Sequence, residues 1–214
     1  MTSTAASSGA HRSRVTDRRF LDAAKEVLDA NWVGSSTVPS ASLYPHQWSW
    51  DSAFITIGRS WYDQGRAQEE LEELLRGQWS DGRIPHIVFN AKVPDDAYFP
   101  GPAFRKSSQT PRAPRNVETS GIVQPPLHAT AALEIHDNAQ DPRDARGFLE
   151  RVYPQLVSWH GYLTRHRDPD GIGLAAILHP WKSGLDNSPA WDRALEDLVV
   201  KDDLERRARM AFAT

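Results

Sequence analysis

Between His179 and Asp192 the chain crowds Trp181, Trp191, Asp186, Asp192, Asn187, Ser183, Ser188 and Gly184 into one segment. Pro180, Gly184 and Pro189 interrupt any helical or strand period, so the spacing predicts a turn-rich loop that presents its side chains. Indole faces stack on the apolar faces of sugar rings, while carboxylates and amides take up hydroxyls, so the composition points towards carbohydrate. The alternative is a polar loop whose tryptophans only anchor it to a core.

Other stretches carry the same mixture. Leu43 to Phe54 brings Tyr44, His46, Gln47, Trp48, Trp50 and Asp51 to the point where a helix begins. Asp51 there is either a first-turn acid that complements the helix dipole or a polar group of a site. Gln78 to Phe89 holds Trp79, an Asp81-Gly82 turn and His86 between apolar neighbours, a setting more typical of a hydrogen-bonded structural histidine than of a ligand. The spacing of His46, His86 and His128 fits no compact metal motif, so no metal and no cofactor are expected. Pro94 to Pro114, with Tyr98-Phe99-Pro100-Gly101-Pro102 and a basic stretch through Arg105 and Arg115, reads equally as a lid or an exposed linker. Glu118 to His128 places Gln124 before a helix that Pro125 and Pro126 can open.

The elements that must position these loops are helical. Apolar positions recur at helical spacing over Thr16 to Ala30, from Asp51 through Phe54, Ile55, Ile57 and Trp61, and over Arg66 to Trp79. In the last of these, Leu71, Leu74 and Leu75 face a core while Glu69, Glu70, Glu72 and Glu73 face water. Further helices are predicted over Ala129 to His136, over Ala145 to Arg167 with a kink or break at Pro154, and from about Arg193 to Phe212. No strand pattern of useful length occurs, and Met1 to Arg14 has the composition of a disordered tail. Helices thus alternate with long aromatic and polar loops, and loops converging on one face would form a sugar-sized cleft.

Composition narrows the partners. The 214 residues are 39% hydrophobic, enough for one sizeable core, with a formal charge of −3 and no basic face to attract nucleic acid. There is no cysteine, which fits a reducing compartment, and no apolar run of signal-peptide or membrane-span length, so a cytoplasmic protein is expected. Eight tryptophans, several in Gly/Pro/Ser-rich stretches rather than on helical stripes, strengthen the reading as a sugar binder.

Five ordered segments resemble motifs of glycoside hydrolase family 63, in its bacterial mannosylglycerate and glucosylglycerate hydrolase branch. They are Tyr44 to Asp51, Gln78 to His86, Tyr98 to Pro102, Ser120 to Pro126 and Ser183 to Asp192. The resemblance implies an all-α fold, an incomplete (α/α)6 barrel with about half the helices, in which residues 15–214 form the N-terminal portion. It implies inverting hydrolysis of an α-glucoside or α-mannoside, with glycerate as a candidate aglycone, through an oxocarbenium-like transition state. Asp186 matches the general acid, and Tyr44, Trp48, Trp50, Asp51, Tyr98, Gln124 and Trp181 match positions that bind or close over the sugar. The arginines between Arg105 and Arg115 are candidates for an anionic aglycone. The family's second carboxylate, the general base, matches no position up to Thr214, so the chain by itself is expected to be inactive. Lys182 stands where the family usually has glutamate, and an adjacent ammonium would work against a protonated Asp186. A trehalase-like enzyme and a non-catalytic sugar-binding remnant are the alternatives.

Overall fold

The computed structural model describes residues 7–193, and within them the chain is mostly helical. α1 (Ser7–Ala30), α2 (Ser49–Ser60), α3 (Gln64–Arg76), α5 (His128–Asp137) and α6 (Pro142–His166) match the helices read from periodicity, and α4 (Pro102–Arg105) adds a single turn. α1 begins at Ser7 and so takes in residues 7–14, which composition alone assigns to a disordered tail. Once the Thr16–Ala30 turns exist, each added residue gains a hydrogen bond for little further ordering, and Ala10, Arg12 and Arg14 are good helix formers. Of the helix expected from about Arg193 to Phe212, all but the first residue lies outside the described residues. No helix among the described residues is long and apolar enough to cross a membrane.

The helix ends are set by local chemistry. Asp63 accepts from the Arg66 N–H at 3.1 Å to cap α3, and Asp141 accepts from the Arg143 N–H at 2.9 Å to cap α6, with Pro142 at its first position. α6 runs unbroken through Pro154. Pro154 and Glu150 both lie on the exposed face, where the carbonyl that proline leaves without a partner can be solvated. α1 is docked at its end by the fully buried Arg59, which donates to the Leu28 carbonyl at 2.9 Å and to Asp29 at 3.1 Å.

α2, α3, α5 and α6 pack against one another around Leu71, Leu74, Ile135, Phe148 and Trp159, all without exposed surface. α2 is the unusual member. It buries Ser49, Ser52, Thr56 and Arg59, and turns Phe54 outward at 55% exposure. The partner of this polar face is Glu70 of α3, which is fully buried and does not face water as the acidic run suggested. Glu70 lies three residues after Ala67 and four before Leu74, on the buried stripe itself, and it is retained there because donors surround it. Its carboxylate accepts from the Thr37 N–H at 2.6 Å, from Gln47 Nε2 at 3.0 Å and from Ser52 Oγ at 2.5 Å.

Burial raises the Glu70 carboxyl above the ordinary glutamate value, even though these three donors oppose the shift. The protonated form is thus favoured in the folded state. Its stabilising contribution is complete below the unfolded value of about 4.3 and is lost as pH rises through the raised folded value. Glu70→Ala strands buried donors at about 1–3 kcal/mol each, so a loss of about 3 kcal/mol is expected in urea unfolding. Glu70→Gln should remove this component of the pH dependence. A loss under about 1 kcal/mol in Glu70→Ala would show that the carboxylate does not hold these elements together.

Candidate active site

Backbone pairing draws three of the loops side by side. β1 (Gln47–Trp48) pairs antiparallel with β2 (Ile87–Val88), joining Gln47 to Val88 and Trp48 to Ile87. On the other edge of β2, Phe89 N–H donates to Glu118 O at 2.9 Å and Ser120 N–H to Ile87 O at 3.0 Å. These ladders are too short to leave a sequence pattern. They nevertheless fix Trp48, His86 and the 118–124 segment relative to one another. Two further bonds join the starts of α2 and α5: Ser49 Oγ meets His128 Nε2 at 2.9 Å, and Gln124 Oε1 accepts from the Trp50 N–H at 3.2 Å. Since that partner is a donor, the Gln124 amide must present its oxygen to Trp50, which leaves the Nε2 donor for a ligand.

The 179–192 segment forms two short 3₁₀ turns, Pro180–Lys182 and Pro189–Trp191. It holds itself together locally. Trp181 N–H donates to His179 Nδ1 at 3.1 Å, Leu185 N–H to Ser183 Oγ at 2.9 Å, and Trp191 Nε1 to Leu185 O at 2.8 Å. Gly184 sits at φ +71°, and a Cβ there would come within 2.6 Å of Trp50 Cη2. Glycine is therefore required twice over, by the backbone conformation and by the indole packed against it.

These contacts shape an open cavity of about 190 Å³ lined by Pro39, Tyr44, Trp48, Trp50, Asp51, Gln124, Gly184 and Asp186. Six of the eight residues singled out in the sequence thus meet there. Tyr98 does not line the cavity but packs on two residues that do, its ring centroid 6.4 Å from that of Tyr44 and 6.0 Å from that of Trp48. Trp181 is the second candidate outside the lining. It stands behind the cavity, stacked on His86 at 6.3 Å, and the other face of this arrangement is the edge-on contact of His86 with Trp48 at 5.3 Å. Trp181 therefore supports a lining residue and does not line the cavity. His86, read from the sequence as a hydrogen-bonded structural histidine, is fully buried with Nδ1 2.5 Å from Ser120 Oγ, whereas sequence reasoning overlooked Gly184 and Glu70 as parts of the frame. For Gly184 the signal was present, since a glycine between turn residues marks a positive φ.

The long 94–114 loop is packed down and is not a free linker. Ser107 and Ala113 are buried, Ser80 N–H donates to Arg112 O at 3.0 Å, and Arg105 lies over the Trp181 ring at 5.2 Å. Its arginines are dispersed: Arg112 approaches Asp81 at 3.9 Å, and Arg115 lines a different and larger depression of about 600 Å³ with His46, Lys106 and Glu118. None of the eight candidate residues lines that depression.

Electrostatically the cavity favours protonated acids. Burial raises the Asp186 carboxyl above its ordinary value even though the residue keeps solvent access, and burial raises Asp51 likewise, each opposed by a hydrogen bond to its own backbone N–H. Asp51 lies in the first turn of α2, so its capping position and its place in the cavity are compatible. The Tyr98 hydroxyl is held well above its usual range by burial, with the Asp186 charge contributing. Lys182 is not among the groups that shift Asp186. Burial, followed by the neighbouring Arg167, Arg83 and Arg105, lowers Lys182 to about 8, and among the described residues it forms no ion pair with Asp186 within 4.0 Å.

A cavity of this lining invites comparison with known proteins. Residues 44–212 match the family model of the mannosylglycerate hydrolase MGH1-like glycoside hydrolase domain. The chain belongs to this family. Among MGH1-like relatives, the mannosylglycerate hydrolase of Rubrobacter radiotolerans is 52% identical over 178 residues, which cover 83% of this chain and 40% of the relative. The glucosylglycerate hydrolase of Mycolicibacterium hassiacum is 42% identical over 195 residues, 88% of this chain and 43% of the relative. A crystal structure of the glycoside hydrolase family 63 mannosylglycerate hydrolase from Thermus thermophilus, in complex with Tris and D-glycerate, aligns with a TM-score of 0.75 and 40% identity. That alignment covers 89% of this chain and 47% of the Thermus chain. The MGH1-like chain described here thus spans less than half the length of these relatives.

Proposed function

We propose that this chain carries the sugar-binding and proton-donating part of an inverting α-glycosidase acting on glucosyl- or mannosyl-glycerate, with the N-terminal portion of an (α/α)6 barrel as its scaffold. The observation that carries this reading is the meeting of Tyr44, Trp48, Trp50, Asp51, Gln124 and Asp186 in one cavity, from segments separated by more than a hundred positions in the sequence. The aromatic faces take the pyranose ring, and Asp51 with the free Gln124 Nε2 takes its hydroxyls. Asp186 donates a proton to the departing glycosidic oxygen, a role its raised pKa supports. Tyr98 closes the rim. The base that activates water on the opposite face of the sugar must stand roughly 6.5–9.5 Å from the acid. We assign it to the portion of the relatives that this chain does not span. The relatives' names supply the glycerate aglycone, and the names of two of them supply the choice between mannose and glucose.

The test is a chimera in which residues 44–192 replace the matching segment of the Thermus mannosylglycerate hydrolase, assayed on mannosylglycerate, glucosylglycerate and trehalose. Hydrolysis of one or both glycerates, with trehalose untouched and with the unfused chain inactive, is the expected outcome. Turnover of trehalose in preference to both would assign the segment to trehalase-like chemistry.

A further inference from the structure

A second cavity of about 190 Å³ lies beside the first and shares only Gln124 with it. Its walls are largely apolar, from Val123, Pro126, Leu163 and Ala176, and its charged lining consists of Arg167 and Lys182. The Ala176 N–H donates to the Arg167 carbonyl at 2.5 Å, which ties the wall to the end of α6. Arg167 is only 6% exposed, and its Nη2 is buried without a hydrogen-bond partner among the described residues. Among those residues, neither Arg167 nor Lys182 has a carboxylate within 4.0 Å. The nearby Arg83 is already neutralised by Asp81, at 2.7 Å.

The two cations of this half-open, largely apolar cleft repel each other, and Arg167, only 6% exposed, has lost much of its hydration, whereas a buried charge is ordinarily paired. A single small anion relieves both. A guanidinium offers a planar fork that matches a carboxylate, and the apolar walls favour an anion with a short aliphatic body over a fully hydrated inorganic ion. We propose that this cavity is a binding site for a small free aliphatic carboxylate, held by Arg167 and Lys182 and separate from the sugar cavity. Lys182 and Asp186 belong to the same turn-rich segment, so an occupied site braces the stretch that carries Asp186. Burial, then the neighbouring Arg167, Arg83 and Arg105, lowers the Lys182 ammonium to about 8, with no carboxylate among the described residues to offset them. The proposal stands whether or not the sugar cavity supports glycoside hydrolysis.

The test is calorimetric titration of the chain with sodium propionate, propionamide and sodium chloride at matched ionic strength, repeated on Lys182→Gln and Arg167→Gln. Propionate should bind saturably in the millimolar range, propionamide and chloride should not, and either substitution should weaken propionate roughly tenfold or more. Lys182 is only partly buried, so Lys182→Gln keeps the test sound if Arg167→Gln does not fold, with folding followed by circular dichroism. Equal responses to propionate and chloride, or unchanged affinity in a folded Lys182→Gln chain, would overturn the proposal. A separate titration with D-glucose reads the sugar cavity, so failure of one reading is distinguishable from failure of the other.

Discussion

Asp186→Asn in the chimera should lower kcat on glycerate glycosides by about a thousandfold or more while leaving KM nearly unchanged. A positioned general acid typically contributes about 10²–10⁴-fold, and an alkoxide leaving group without a proton source lies at the upper end of that range. Asparagine preserves shape and hydrogen-bonding reach, so the split between kcat and KM separates proton donation from sugar binding. The pH profile gives a second check. Burial raises Asp186, so the active protonated form persists to higher pH than an ordinary aspartate allows, and kcat falls as pH rises through that raised value. An activated leaving group that needs no proton should recover much of the lost rate. Full activity of Asp186→Asn on the natural glycoside would remove the residue from the chemistry.

Gly184→Ala should be nearly as damaging by a different route. Its Cβ would meet Trp50 Cη2 at 2.6 Å, with Cζ2 and Cζ3 at 2.9 Å, so either the indole or the 179–192 segment must move. Both line the cavity, packed against each other. A displacement on the order of 1 Å at such a site costs roughly a hundredfold in kcat/KM. Alanine at φ +71° also carries about 1–2 kcal/mol of backbone strain. Gly171 separates the two effects, since it has φ +65° and an added methyl group there would meet nothing within 4 Å. Gly171→Ala should lose comparable stability and keep its kcat/KM. If both variants lose activity equally, backbone strain and not the Trp50 contact is responsible.

Much of this arrangement was legible because the helices obey a 3.6-residue period and the loops between them are rich in ring and amide side chains. Tyr44, Trp48, Trp50, Asp51, Gln124 and Asp186 were assigned by residue type and motif order, and they share one cavity. What remained hidden depends on direction. Trp181 has the composition of a sugar platform, but stacking on His86 turns it to the rear of Trp48. Glu70 sits in a run of glutamates that reads as a solvated face, and only the donors of Thr37, Gln47 and Ser52 explain its burial. Phe54 and Trp61 follow an apolar period yet point outward, because the inner face of α2 is taken up by small polar side chains. Periodicity identifies a face, but it does not say whether a core or a polar network lies opposite.

The most direct test of the account is the crystal structure of this chain with D-glucose. The ring should lie among Tyr44, Trp48 and Trp50, its hydroxyls bonded to Asp51 and to the Gln124 Nε2, with the Asp186 carboxyl beside the anomeric oxygen. Glucose bound instead in the depression lined by His46, Lys106 and Arg115, with the Asp51–Asp186 cavity vacant, would contradict it.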